Sequence, residues 1–257
     1  MIYRVCFVTF AIAAVLPGAL GWYNAVLEFP GSVSIENYVL LRPDFTDATS
    51  AISVCSWIKP VATTATFGVW FSYQVPAADD NEIGLSDDLT QFNIMFKDNL
   101  NIPDTVISKH EWHHFCLSWS FKRLQREMYL DGELVGAKAT AAGRTLALGG
   151  TLVLGQDQDA PGGSFEKSQA FGGQLYELNI FHRALSATEI KNMHGSGRCK
   201  KMDVQLNSDI LLGWEDILRA QRHGEMRMVE GTCSNWNMVR GLLDDDLLDH
   251  LLQFHPF

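Results

Sequence analysis

Basic residues are scarce in this chain: 20 Lys and Arg stand against 30 Asp and Glu, a net charge of −10. Without a basic face nothing displaces the counterions of a phosphate backbone, which argues against nucleic acid as the main partner. Long apolar runs are missing after the first twenty residues, so no later segment reaches membrane-spanning length. Cysteine is sparse as well. There are five, none in a Cys-x-x-Cys pair, which weakens any thiolate-metal reading. No Asn-x-Ser/Thr sequon occurs, so N-glycosylation is not expected. Internal repeats, low-complexity tracts and linkers rich in Pro, Gly or Ser are lacking too. What is present is 257 residues at 47% hydrophobic and 19% charged, which excludes wholesale disorder. That length fits one large all-β or α/β domain, or two small ones.

The first residues read as an export signal. Met1 to Arg4 make a short positive start, Val5 to Leu16 are almost uninterruptedly apolar, and Pro17-Gly18-Ala19-Leu20-Gly21 supplies a small-residue cleavage region. The apolar run is too short to span a bilayer comfortably, so residues 1–21 are expected to be a signal peptide. Cleavage is placed after Gly21, with Ala19 as the alternative. The mature protein is then secreted, Cys6 leaves with the peptide, and four cysteines enter an oxidising compartment.

From Val26 to Gln174 short β-rich runs alternate with turn residues. Ala51–Ile58, Phe67–Tyr73 and His114–Trp119 are examples. In the first, Ile52, Val54, Ser56 and Ile58 alternate with Ser53, Cys55 and Trp57, predicting a strand with both faces partly covered. Met128 to Val135 reads as two strands joined by Asp131-Gly132, a strong hairpin signal. Thr151–Leu154 and Gln174–Phe181 read as further strands. Many short strands with regular turns predict a two-sheet antiparallel sandwich.

Beyond the strands, Ser186-Ala187-Thr188-Glu189 is a capping-box pattern opening a helix from Ala187 to about His194, with Gly195 as its stop. Leu211 to Trp214 looks like a last strand. In Leu242 to Phe254, Leu243, Leu247, Leu251 and Phe254 recur at helical steps between aspartates, which predicts an acidic amphipathic helix. It suits packing on its own domain or a neighbouring subunit, or it is a frayed tail. The four remaining cysteines allow three connectivities. Cys55–Cys116 with Cys199–Cys233 is favoured, because the first two lie in predicted strands and the others flank the final segment.

Oxygen donors concentrate in Gly155 to Gln169. Around a glycine turn stand three carboxylates (Asp157, Asp159, Glu166) and three amides (Gln156, Gln158, Gln169). A hard cation such as Ca²⁺ takes six to eight such oxygens, and nothing soft is present to favour zinc or copper. Asp79-Asp80-Asn81-Glu82 could fold over the same place. The spacing is not that of an EF-hand, and an acidic loop alone is more often a solvated turn.

Several of these segments share a pattern. His114-Phe115-Cys116-Leu117-Ser118-Trp119 resembles the His-x-Cys-x-(Ser/Thr)-Trp signature of the pentraxin family. Gly155 to Gln169 is similar, almost position by position, to that family's calcium loop, including the Gly-Gly and the closing Glu-x-x-Gln. Asp80-Asn81-Glu82 resembles its other calcium-contributing segment, and Leu185 to Ile190 the helix start beyond. The ordered match runs from about Val26 to about Glu230. The chain thus divides into a signal peptide (1–21), a pentraxin domain (22–230) and a C-terminal extension (231–257).

The resemblance implies an all-β jelly-roll sandwich of the lectin and laminin-G type. One short helix would follow the calcium loop, and a helical tail would end the chain. It also implies a cyclic homo-oligomer, commonly a pentamer, and ligand binding through two adjacent Ca²⁺ ions. One ion would take Asp80, Asn81, Asp157, Gln158 through its carbonyl, and Asp159. The other would take Asp157, Asp159, Glu166 and Gln169. It further implies the Cys55–Cys116 disulfide. The expected function is calcium-dependent pattern recognition of phosphoryl, carboxylate or carbohydrate groups, of innate-immune type, without catalysis.

Four features depart from the family pattern. Asp157 stands where Glu is usual, Phe121 where Ser or Thr is expected, and Ser86 where phosphocholine-binding relatives carry an aromatic residue. The tail beyond Gly231, with Cys233, lies outside the common core. Two other functions compete. A laminin-G-like adhesion module would share the sandwich but not the Glu166-x-x-Gln169 loop. A glycan hydrolase would use Asp157 and Asp159 as acid and nucleophile or base, free of metal. His113-His114 invites a nucleophile-activation role, but inside a strand next to a bridged cysteine a structural role is favoured.

Overall fold

Alternating apolar runs between turn residues become strands throughout the described chain. The computed structural model describes residues 25–48, 50–61, 67–76, 81–87, 92–95, 100–101, 107–198 and 204–231. Among these, two antiparallel sheets form. The first runs, in spatial order, β10 (Glu133–Ala139), β9 (Gln125–Leu130), β8 (His113–Ser120), β3 (Ala51–Pro60), β12 (Gly173–Phe181), β1 (Ala25–Phe29) and β15 (Arg227–Glu230). A short strand, β13 (Ile210–Leu212), also pairs with β12. The second runs β14 (Gln221–His223), β2 (Tyr38–Leu41), β11 (Thr151–Leu154), β4 (Gly68–Gln74), β5 (Ile83–Asp87), β6 (Phe92–Met95) and β7 (Leu100–Asn101). The first and last described strands are neighbours: Ala25 pairs with Glu230 and Glu28 with Arg227.

The core lies between the sheets. Trp70 from β4 meets Phe115 from β8 edge to face at 5.2 Å, a pairing worth about 1 kcal/mol beyond its buried area. Phe121, the departure from the family signature, is buried against Trp119 at 4.5 Å. Strand β3 is covered on both faces, as its sequence predicts. Ile52, Val54 and Ile58 enter the core, while Cys55 joins a second apolar cluster with Cys116, Tyr129, Phe181, Leu185, Ile190 and Leu206. Cys55 and Cys116 stand directly opposite on β3 and β8 and are joined by a disulfide closing 61 residues. Between β9 and β10, Asp131 and Gly132 take φ of 50° and 81°, the left-handed pair of a two-residue hairpin turn.

Helix α1 (Ala187–Ser196) carries the expected capping box, with the Ser186 hydroxyl accepting from Glu189 N and Glu189 accepting from Ser186 N. Its end differs from expectation. Gly195 lies inside the helix, and the stop is Gly197, at φ 74° with its N–H bonded to His194 O. The left-handed residue that satisfies the last carbonyls sets the end, whereas an exposed helical glycine only lowers propensity.

Trp214 corrects a second expectation. Only Ile210–Leu212 are strand; Trp214 opens a helix instead. Two helices, α2 (Val204–Ser208) and α3 (Trp214–Arg219), join α1, so among the described residues three short helices follow the loop rather than one. Trp214 N donates to Asn179 Oδ1 at 3.0 Å and its indole N–H to Ala25 O at 3.1 Å, anchoring α3 to the first sheet. Strands β14 and β15 follow it, so Leu211 to Trp214 is not the last strand. The signal peptide, Cys199, Cys233 and the helical tail from Leu242 lie outside the described residues.

Candidate metal centre

The acidic loop leaves β11 at Gly155, whose φ of 93° and closeness to the Phe29 ring admit no side chain. Its base is closed by two backbone bonds, Gly155 N to Trp70 O at 3.3 Å and Phe171 N to Gly155 O at 3.0 Å. From there it folds back over the outer side of the second sheet, held by neutral amides. The Ser72 hydroxyl donates to Gln156 O at 2.8 Å. Gln156 Nε2 donates to the carbonyls of Ser34 and Asn37, at 2.8 and 2.9 Å. Gln158 Nε2 donates to Ser72 O and Oγ and to Thr151 O at 2.9–3.1 Å, and its Oε1 accepts from Gly162 N at 2.6 Å. Phe165 sets its ring on the edge of Tyr38 at 4.9 Å.

This anchoring sorts the candidate ligands. The Gln158 side chain is spent on the loop itself, which leaves its backbone carbonyl as the group a cation could use. Asp157 is buried, 6% exposed, and its Oδ1 accepts from Asn81 Nδ2 at 2.5 Å. The sequence-distant pair Asn81 and Asp157 is therefore brought together. Asp159 and Glu166 are exposed. Glu166 O accepts from Gln169 N at 3.0 Å in a 3-10 turn, so the Glu-x-x-Gln spacing puts both residues on one local turn. Gln169 Oε1 is buried and finds no hydrogen-bond partner among the described residues. Asp80 lies outside the described residues. Among the described residues no three His, Cys, Asp or Glu side chains stand close enough to share an ion.

The donor set fits a hard cation. It consists of carboxylate, amide and backbone oxygens, and among the described residues two buried amide carbonyl oxygens of the loop, those of Gln156 and Gln169, lack the partner such groups ordinarily have. Glu82, beside Asn81 in sequence, is turned away: its Oε1 accepts from Arg144 Nη2 at 3.3 Å and Ala147 N at 3.2 Å. Gln156 and Ser72 were not legible as anchors. A glutamine inside an acidic loop reads as one more oxygen ligand, and only the register of β4 beside β11 places Ser72 beneath it.

The histidine pair has a different setting, at the start of β8 in the first sheet. His113 Nδ1 lies 2.9 Å from Asp131 Oδ2, and that hydrogen bond raises its pKa despite burial. His114 is buried against Trp57, and burial, aided by His194, pushes its pKa down to about 4. The nearest sulfur, Cys116 Sγ, is tied up in the disulfide. These residues brace the hairpin turn, where Asp131 Oδ1 also accepts from His114 N at 2.8 Å.

A family model described as the Pentaxin family matches residues 25–229. Pentraxin-4 of Homo sapiens is 33% identical over 187 residues, which cover 69% of this chain and 38% of that protein. Neuronal pentraxin-2 of Mus musculus is 33% identical over 144 residues, covering 56% of this chain and 33% of that one. The chain thus spans well under half the length of these curated relatives. Among solved structures, the native heptameric SAP-like pentraxin from Limulus polyphemus superposes with a TM-score of 0.67 at 21% identity, covering 82% of this chain and 96% of that one. A putative carbohydrate binding protein from Bacteroides ovatus gives 0.57 at 10% identity, covering 81% and 60%. At these identities the two structures speak to the fold alone.

Proposed function

This chain belongs to the pentraxin family, and from that premise we propose that it is a secreted, calcium-dependent ligand-binding protein of the pattern-recognition, innate-immune kind. Two ions are held on the outer side of the second sheet. Asp80, Asn81, Asp157, Asp159 and the Gln158 carbonyl take one; Asp157, Asp159, Glu166 and Gln169 take the other. Calcium supplies open coordination positions for phosphoryl, carboxylate or carbohydrate oxygens. The residues do the rest. Ser72, Gln156 and Gln158 fix the loop, and Asn81 holds the buried Asp157 carboxylate beside it. The observation that carries this reading is the buried Gln169 Oε1 on the same turn as Glu166, an acceptor that meets no donor among the described residues.

Membership of a family of binding proteins supports recognition rather than catalysis. Assembly as a cyclic homo-oligomer, with a pentamer favoured, belongs to the same reading, and the Limulus relative is heptameric. Among the described residues no helix is long and apolar enough to cross a membrane. Isothermal titration of the chelator-stripped protein with Ca²⁺ tests the site. Two ions per chain are expected, and Asp157→Asn should weaken both by about tenfold or more, because that carboxylate is shared. A chain that takes up no calcium at millimolar concentration overturns the proposal.

A further inference from the structure

The outer side of the first sheet carries a charged rung near the point where β15 ends. Arg227 of β15 pairs with Glu28 of β1, Glu28 with Gln174 of β12, and Gln174 with Lys59 of β3. Their neighbours Leu27, Ile58 and Leu175 enter the core, which turns this rung outward. It lines a depression of about 330 Å³. Half-buried Pro30 and Val61 form part of the wall, and the exposed His110, whose N–H bonds to Pro60 O at 2.8 Å, stands at the Lys59 end.

The charges along the rung do not cancel. Glu28 Oε2 accepts from Gln174 Nε2 at 2.7 Å, and no ion pair joins Glu28 to Arg227 although the two stand opposite each other. Among the described residues neither the Lys59 nor the Arg227 side chain has a partner. Strands lie about 4.8 Å apart, so these two cations flank the bonded pair across about 14 Å of sheet. That width suits a run of carboxylates better than one small anion.

The chain carries such a run. Beyond Gly231 stand Asp244, Asp245, Asp246 and Asp249, against Arg240 as the single Lys or Arg. Leu243, Leu247 and Leu251 recur between them at helical steps. The segment follows β15, the strand that holds Arg227, and residues 232–243 reach about 40 Å when extended, well beyond the width of the rung. So short a tether supplies an effective concentration of about a millimolar or more, so contacts too weak to hold a free peptide suffice.

We propose that Asp244 to Asp249 of the chain's own C-terminal segment docks in this depression, its carboxylates on Lys59 and Arg227 and its leucines toward Pro30 and Val61. The extension outside the family match is then a cover for the first sheet, and its docking does not depend on calcium.

Carbodiimide coupling of the full chain in the presence of chelator, read by peptide mass spectrometry, tests this, because the reagent joins an amine only to a carboxylate in contact with it. Lys59 should couple to the peptide carrying Asp244, Asp245 and Asp246. Replacing those three aspartates by Asn should remove the link and raise the acetylation rate of Lys59 at least about threefold, as expected for a mostly occupied tethered contact. Lys191, which is paired with Glu133, should react as before. Absence of the link overturns the proposal, as does a Lys59 acetylation rate that the Asn variant leaves unchanged. Coupling in a mixture of unlabelled and heavy-nitrogen chains reads which chain supplies the segment. Links within one isotope support the proposal, whereas links of mixed isotope place a second copy in the depression and overturn it.

Discussion

The two outer faces of the sandwich are closed by opposite means. Over β3 and β8 the cover is apolar: Leu185, Ile190 and Leu206 lie on Cys55, Cys116 and Phe181. Over β4 and β11 it is a loop of polar residues fastened through Ser72, Gln156 and Gln158. Apolar burial is non-directional and grows with area, so the first cover contributes stability without fixing any one atom. Amide bonds contribute only about 1 kcal/mol each, net, but they fix distance and angle. The face that carries the proposed cation site uses the second kind.

Breaking the first face should have the largest effect. Replacing Cys55 and Cys116 together by Ala should cost about 4 kcal/mol, read as a lower denaturant midpoint. Calcium affinity should stay where it was; a parallel loss would show that the faces are not independent. Acid should come next. His114 has a native pKa of about 4 against an ordinary value of 6.5, so the unfolded chain binds the proton more readily. The stability from keeping it neutral is fully present above pH 6.5 and is lost as pH falls towards 4, about 3 kcal/mol in all. Urea midpoints between pH 4 and 8 should show that slope, and His114→Gln should flatten it. A slope unchanged in the variant would place the acid sensitivity elsewhere.

The smallest expected cost in stability, about 2 kcal/mol, falls on the second face. Gln158→Leu would leave Gly162 N and the Ser72 and Thr151 carbonyls without their partner. Here calcium affinity should fall at least about tenfold, although the Gln158 side chain is no ligand. Full retention of affinity would mean that the loop holds its shape without the anchor.

Local pattern made much of this legible. Asp131-Gly132 announced its hairpin, Ser186 with Glu189 its capping box, and the alternation around Cys55 a strand covered on both sides. Oxygen-rich Gly155–Gln169 was recognisable as a candidate site because its residue types cluster in sequence. What escaped depends on partners far away in the chain. Trp214 looked like strand until Asn179 and Ala25, both distant in sequence, supplied its hydrogen bonds. Strand β15 is short and partly polar and exists by pairing with β1. Gln158 and Glu82 carry the same functional groups as the proposed ligands, and only their neighbours, Ser72 in one case and Arg144 in the other, show that the side chains are already engaged.

The pairing of Ala25 with Glu230 also has a mechanical side. The opening residue of β1 and the closing residue of β15 sit across one rung of an antiparallel ladder, about 5 Å apart. Polypeptide attached ahead of one and behind the other starts from a single corner of the sandwich. Tension applied through both attachments would act across the rungs and open them in succession, like a zipper pulled from its end. The disulfide between β3 and β8 lies further into the same sheet and would take no load until β1 and β12 had parted.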